Sequence, residues 1–216
     1  DVTASFWNPA GLVEIGSDKG LQIGAMHSEW FAGIGKYDYL GFSLPTSNAN
    51  RRMGFSFIRF GIDGIPNTLS LYEDDGSVNY DNIVEFSAAD YAFLGTYSQK
   101  TKWLDGKVNI GGNVKVIYRQ IGSFASSWGF GLDLGAQYRS GNWNVGVTAK
   151  DVTSTFNAWN TTFTDSEEAV LIATGNDLPD ISSVEITRPQ LLMGVGYRIG
   201  EGNWRFYPEL DFVLTT

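Results

Sequence analysis

Residues 107–152, KVNIGGNVKVIYRQIGSFASSWGFGLDLGAQYRSGNWNVGVTAKDV, carry the clearest structural pattern of the chain. Apolar and polar residues alternate from Val108 to Tyr118, from Phe130 to Tyr138 and from Trp143 to Ala149. Successive side chains of a β-strand point to opposite faces, so each part is a strand with one apolar and one polar, glycine-rich face. The turn at 139–142 is tight enough to predict an antiparallel hairpin. These residues therefore predict an antiparallel meander.

The composition argues against several functions. The chain has 216 residues, no Cys, a single His and a formal net charge of -9. An acidic chain without a basic stripe is not expected to bind nucleic acid. With no Cys and one His, we expect no disulfide, no metal site and no other cofactor. A mean hydropathy of -0.13 is compatible with a membrane barrel, because polar and lipid-facing residues alternate along its strands.

Similar stretches along the chain raise the number of predicted strands to nine. Beside the three within 107–152, they lie at 20–31, 34–44, 52–61, 89–98, 188–199 and 203–214. Three regions depart from the pattern: an N-terminal plug-like segment at 1–19 and long external loops at 62–88 and 153–187. The last of these has six acidic residues and no Lys or Arg. We expect residues 1–216 to form a single domain.

The lengths of the connections indicate whether the apolar face contacts lipid or a protein core. Short connections fall at one end of the meander and the two long ones at the other, as in outer-membrane barrels. Aromatic residues gather at strand ends, and the apolar stretches have the roughly 9–11 residues that a tilted strand needs to cross a bilayer. We therefore expect an all-β, antiparallel up-and-down transmembrane β-barrel with its apolar face against lipid. The alternative is a soluble β-sandwich or lipocalin-like barrel, in which that face is the core.

The strand number predicts an incomplete barrel. A closed bacterial barrel has an even number of strands, because every lipid-exposed edge must be paired. Nine is odd, and the sequence stops at Thr215-Thr216 without the terminal aromatic residue that outer-membrane barrels commonly carry. We expect further strands outside this sequence.

Several runs within the first 139 residues resemble the PorV/PorQ family, a branch of the FadL-like outer-membrane barrels. They are the opening run 1–12 with Asn8-Pro9-Ala10-Gly11-Leu12, then 58–68 (IRFGIDGIPNT), 86–93 (FSAADYAF), 111–115 (GGNVK) and 128–133 (WGFGLD). Several long motifs in the same order are more specific than Asn-Pro-Ala-Gly-Leu alone, which occurs across FadL-like barrels. Beyond Asp151 the similarity is one of pattern only.

This resemblance implies a barrel of fourteen strands in the outer membrane of a Gram-negative bacterium. Family members are not enzymes but bind cargo or partner subunits of the type IX secretion system, a role in protein transport. The implied partners are the lipid bilayer and other envelope or secretion-system proteins. One alternative is a FadL-type channel for hydrophobic small molecules, with detergent, lipid or another apolar ligand inside. A soluble carbohydrate-binding β-protein is the second alternative.

Two groups of residues are candidate sites. The candidate plug or ligand segment is Trp7, Asn8, Pro9, Ala10, Gly11 and Leu12. The candidate lumen lining is a set of charged residues on or near the polar faces of the strands: Lys115, Arg119, Asp133, Arg139, Lys150, Arg198, Arg205, Glu209 and Asp211. They form either a selectivity lining or a plugging network of salt bridges. No catalytic residue is predicted: the segment 73–76 lacks the ligand spacing of an EF-hand, and His27 beside Glu29 lacks a second His or Cys.

Overall fold

The computed structural model describes residues 1–16, 18–73, 76–175, 177–178, 180–200 and 204–215. The strands in these ranges are β1 (Gln22–Trp30), β2 (Gly35–Pro45), β3 (Arg51–Asn67), β4 (Val84–Lys100), β5 (Val108–Ile121), β6 (Ala125–Ser140), β7 (Trp143–Lys150), β8 (Thr155–Thr161), β9 (Ser182–Thr187), β10 (Gln190–Tyr197) and β11 (Glu209–Thr215). Helices α1 (Ala4–Trp7) and α2 (Asp165–Ala173) and the 3-10 helices Pro9–Ile15 and Tyr80–Asn82 complete the regular structure of these ranges. None of the described helices has the length and apolar character needed to span a membrane.

All the strands belong to one antiparallel sheet. From β1 to β7 each strand pairs with its neighbours in the chain, and β10 then pairs with β7 and β11. The predicted all-β, antiparallel, up-and-down arrangement is confirmed. Among the described residues the sheet is open, because β1 and β11 lie at its two ends and do not pair with each other.

At two positions in the sheet, two short strands lie end to end where one long strand would otherwise run. We call each strand position a row. β6 pairs with β8 from Ala125 to Phe130 and with β7 from Leu134 to Ser140, so β8 continues the row of β7. β9 pairs with β8, and β10 with β7, so β9 and β10 share the next row. Residues 151–154 interrupt the first row and residues 188–189 the second. The eleven described strands therefore occupy nine rows, whereas the sequence pattern predicts nine unbroken strands.

The segments predicted to be long loops at 62–88 and 153–187 are partly strand, which is a correction. β3 extends to Asn67 because a shift of register between Ile62 and Ile65 lets the ladder resume past Gly64, whose φ is +69°. β4 then begins at Val84, and β8, α2 and β9 occupy most of the second segment. The connections that remain are 68–83 and 162–181. The last strand begins at Glu209, later than predicted, and residues 201–202 of the turn predicted at 200–202, together with residue 203, lie outside the described ranges.

The two long connections lie at the same end of the sheet. That end, here called the long-connection end, carries the connections 31–34, 68–83, 122–124 and 162–181. The opposite, short-connection end carries 46–50, 101–107, 141–142 and 198–208. The two longest connections therefore share one end, as predicted, whereas the connection 198–208 at the other end is longer than the short turn predicted there.

Candidate functional site: an N-terminal segment on the polar face

The N-terminal segment, defined as residues 1–16, lies on one face of the sheet. Its 3-10 helix contacts β3, β4, β5 and β6. We call this side the covered face and the opposite side the open face. Val2 joins Tyr39, Ile58 and Leu94 of the covered face in a small buried apolar cluster. The hydroxyl of Tyr39 also donates a hydrogen bond to the carbonyl oxygen of Val2, at 2.9 Å.

Burial on the sheet is inverted relative to a water-soluble protein. On β6 the open-face residues Trp128, Phe130 and Leu134 are 52%, 61% and 57% exposed, while Ser127 and Asp133 on the covered face are 1% and 4% exposed. The other long strands show the same contrast between exposed apolar and buried polar positions. The polar face predicted from the alternation is thus the face that carries the N-terminal segment.

Asn8 connects the N-terminal segment to two strands at once. Its side-chain oxygen accepts a hydrogen bond from the amide of Ala10 at 3.1 Å and so caps the 3-10 helix. Its side-chain amide donates to the carbonyl oxygens of Ala136 on β6 and Val147 on β7, both at 3.2 Å. Ala136 and Val147 are paired across the two strands. One Asn therefore satisfies a helix terminus and fixes its position on the sheet.

The residues after Asn8 are packed against glycines of the sheet. Pro9, Ala10, Gly11 and Leu12 are buried, and Ala10 and Leu12 have no exposed surface. A Cβ atom at Gly111 would lie 2.5 Å from the carbonyl carbon of Pro9, closer than any real contact of this kind. The absence of a side chain there lets the two backbones approach. Trp7, by contrast, is largely exposed.

Arg52 holds the end of the N-terminal segment and was not among the residues predicted from sequence. Its guanidinium donates to the carbonyl oxygens of Gly16, Lys19 and Gly20 and to the side chain of Ser43. Arg52 is 1% exposed, and no described carboxylate forms a salt bridge with it. Its position on the covered face, in alternation with Gly54 and Ser56, is the only sequence signal for this role.

Glu14 and two polar side chains of the sheet add further connections. One carboxylate oxygen of Glu14 accepts from Asn109 at 2.6 Å, and the other accepts from Arg139 at 2.8 Å. Ser98 donates to the carbonyl oxygen of Ala10 at 3.0 Å and accepts from the amide of Val13 at 3.2 Å. Sequence reasoning identified Arg139 in this group but not Glu14, Ser98 or Asn109.

A buried ionic cluster lies beside the N-terminal segment. The Lys115 ammonium is 2.8 Å from a carboxylate oxygen of Asp133 and 2.6 Å from one of Asp151. Asp133 also accepts from the backbone amide of Asp151 at 3.0 Å and from the side chain of Asn113 at 3.1 Å. Asn113 in turn donates to the carbonyl oxygen of Ser5 at 2.8 Å. The cluster therefore joins the interruption between β7 and β8 to the N-terminal segment.

The other predicted lining residues are spread over the covered face and its margins. Arg119 forms salt bridges with Asp90 at 2.8 Å and Glu185 at 2.7 Å. The Lys150 ammonium lies 4.3 Å from the centre of the Phe6 ring, a cation–π contact. The remaining four are exposed and not part of one network: Arg198, which bonds to Asn142, Arg205 in the connection 198–208, and Glu209 and Asp211 opposite Gly196 and Gly194.

His27 and Glu29 lie on the open face at the long-connection end. His27 contacts Asp38 at 2.7 Å and Glu29 at 3.6 Å, and Asp38 also pairs with Arg59 at 3.4 Å. Within the described residues no group of three His, Asp or Glu side chains is placed to hold a metal ion. In the segment predicted to be a solvated turn rather than a calcium loop, residues 74 and 75 lie outside the described ranges.

Asn8 provides a direct test of how the N-terminal segment is held. Asn8→Asp keeps the oxygen that caps the 3-10 helix but turns a carboxylate toward the carbonyl oxygens of Ala136 and Val147. We expect the free energy of unfolding in detergent to fall by about 2 kcal/mol, because two partly buried acceptors lose their donor and face a carboxylate instead. Asn8→Ser keeps the cap without the added charge and should cost about half as much. Both variants remove the amide, so wild-type stability of Asn8→Ser would contradict this role for the amide.

The comparisons with known proteins identify no relative. No family model, no curated protein and no solved structure matches this chain.

Proposed function

We propose that this sheet is part of the wall of a β-barrel in the outer membrane of a Gram-negative bacterium. The observation that carries the proposal is the inverted burial, with apolar side chains exposed on the open face and polar side chains buried on the covered face. Water-soluble proteins rarely expose a continuous apolar patch of more than a few hundred Å². Lipid removes this cost, because the open face then contacts acyl chains and most polar groups face the interior; the charged group around His27 and Asp38 lies on the open face only at its long-connection end.

Aromatic residues on the open face support a position within a bilayer. At one level Phe57, Tyr91, Tyr118 and Trp128 form a row across four strands, with ring centres 6.2, 6.1 and 4.8 Å apart. Toward the other end of β6 lies Tyr138, ten residues beyond Trp128. Ten residues span about 33 Å along a strand, or about 25 Å across the membrane when the strand is tilted by about 40°. This matches the apolar band of outer-membrane barrels.

The covered face supports the interior of such a barrel. The N-terminal segment fills the half of that face near the short-connection end, where Arg52, Ser98 and Asn109 contact it. Polar groups removed from water need partners, and the side chains of the sheet and the backbone of the segment supply them to each other. A segment held in this way acts as a plug.

The role that we propose is non-catalytic docking of partner or cargo proteins, as in the PorV/PorQ family. Support comes from the sequence resemblance and from the long-connection end, which presents two long connections on one side of the sheet. Binding sites are commonly built on connections held by a rigid scaffold. By the resemblance, the partners are components or substrates of the type IX secretion system.

A second candidate is a FadL-type channel for hydrophobic small molecules, favoured by one cleft. The cleft has a volume of about 480 Å³ and lies beside Trp7 and Asn8, against Gly146, Leu192 and Gly194. Bound lipid or detergent there would favour transport. Its neighbours Glu209 and Asp211 are acidic, which suits an apolar ligand less well.

Cysteine scanning tests the membrane position without a background signal, because the chain has no Cys. Spin labels at Phe130 and Leu132, after reconstitution into phospholipid vesicles, should be accessible to oxygen and shielded from a water-soluble nickel chelate. Labels at Thr101 and Ile181, in connections at the two ends, should show the reverse. Chelate access at all four positions would exclude a lipid-facing wall. Docking and transport are then separated by co-purification of envelope proteins and by uptake of a labelled fatty acid.

A further inference from the structure

Negative charge is concentrated at the long-connection end. The connections 68–83 and 162–181 contain nine of the 24 acidic residues and none of the 15 Lys and Arg. The remaining 15 acidic residues equal the basic ones in number, so these two connections account for the whole net charge of -9. In contrast, the connections 101–107 and 198–208 at the other end hold four basic and two acidic residues.

The same connections expose large apolar side chains. Tyr72 and Tyr80 are 63% and 73% exposed in the first, and Ile172 and Ile181 are 60% and 76% exposed in the second. Helix α2 buries none of its residues against the sheet. Exposed apolar side chains surrounded by charge are typical of protein-binding surfaces.

Hydrogen bonds within these connections hold them in defined conformations. The Glu73 carboxylate accepts from Asn79 at 2.8 Å and Asn82 at 3.0 Å, and these bonds lower the pKa of Glu73. Thr164 and Glu167 form a capping box at the start of α2. The charges of Glu73, Glu167 and Glu168 are therefore held on hydrogen-bonded backbone, which reduces the entropy lost when a partner binds.

We infer that the long-connection end binds a basic polypeptide segment that also carries apolar side chains. This deepens the proposed docking function and rests on it, since the partner is here defined by its chemistry. Charge complementarity selects the occupant: the two connections carry nine acidic residues and no Lys or Arg, seven of the nine within the described ranges, so they attract Lys- and Arg-rich segments and repel anionic lipid and nucleic acid. Tyr80 and Ile181 supply the apolar contacts that electrostatic attraction alone does not give.

Synthetic peptides test the inference on the reconstituted protein. Three twelve-residue fluorescent probes are needed: Lys and Ser with two Phe, Lys and Ser alone, and Glu and Ser with two Phe. We expect measurable binding only for the two Lys peptides, stronger for the one with Phe, and weakening as salt is raised. Equal binding of the Lys and Glu peptides would overturn the inference, and so would displacement of the Lys peptides by submillimolar Ca²⁺.

Matched variants locate the binding. Glu168→Gln with Asp180→Asn should weaken binding of both Lys peptides about fivefold, as expected for two exposed charge pairs. Asp18→Asn with Asp105→Asn, outside these connections, removes the same charge and should leave binding unchanged. Tyr80→Ser should affect only the Phe-containing Lys peptide. Equal loss in the two double variants would overturn the inference, while the spin-label result on β6 would still decide separately whether the sheet lies in lipid.

Discussion

Replacing Leu132 by arginine is expected to prevent stable insertion of the sheet into lipid. Leu132 is an open-face residue of β6 between the aromatic side chains of Trp128 and Tyr138, near the middle of the proposed apolar band. A lipid-facing arginine costs about 2–4 kcal/mol at the bilayer midplane and about 0–1 kcal/mol near the interfaces. Trp128→Arg, at the level of the aromatic row, should therefore be tolerated much better.

The measurement is urea unfolding of each variant in phospholipid vesicles, repeated in detergent micelles. We expect a large difference between Leu132→Arg and Trp128→Arg in vesicles and a smaller one in micelles, which deform around a charge more easily. On a water-exposed sheet neither substitution would be costly, and both would raise solubility without detergent. That result would contradict the membrane proposal and favour the soluble β-protein.

The strand pattern could be predicted because it depends only on neighbouring residues. Alternation between apolar and polar positions along residues 107–152 gives β5, β6 and β7, together with the face to which each side chain belongs. The ladder beyond Gly64 and the interruption at 151–154 could not be predicted in this way. Both depend on a partner strand: β4 pairs with β3 on either side of the shift, and Lys115 and Asp133 hold Asp151 in place.

The candidate site was predictable as a segment but not as a set of contacts. The Asn-Pro-Ala-Gly-Leu run indicates a plug-like segment, but it does not indicate that Asn8 caps a 3-10 helix. Asn8 also bonds to Ala136 and Val147, which lie 128 and 139 positions further along the chain. No local sequence pattern reveals contacts over such separations. For the same reason Glu14 was not paired with Arg139 in advance.

Arg52→Ala is expected to release the N-terminal segment from the sheet. Arg52 is buried and donates to three carbonyl oxygens at the exit of that segment as well as to Ser43, so its removal leaves the buried Ser43 hydroxyl and three partly buried carbonyl oxygens without their donor. We expect the free energy of unfolding to fall by about 3 kcal/mol. Arg51→Ala is the matched control. Arg51 is the adjacent residue and is exposed, so its replacement should lower the free energy of unfolding only slightly.

Trypsin cleavage after Lys19 reports on the release directly, since the carbonyl oxygen of Lys19 is one of the acceptors of Arg52. Cleavage should accelerate in Arg52→Ala and not in Arg51→Ala. Arg52→Lys should be intermediate, because one ammonium keeps the charge but cannot reproduce the planar set of donors that reaches Gly16, Gly20 and Ser43 together. Equal cleavage rates in Arg52→Ala and Arg51→Ala would show that the apolar cluster around Val2 and the Asn8 bonds hold the segment by themselves.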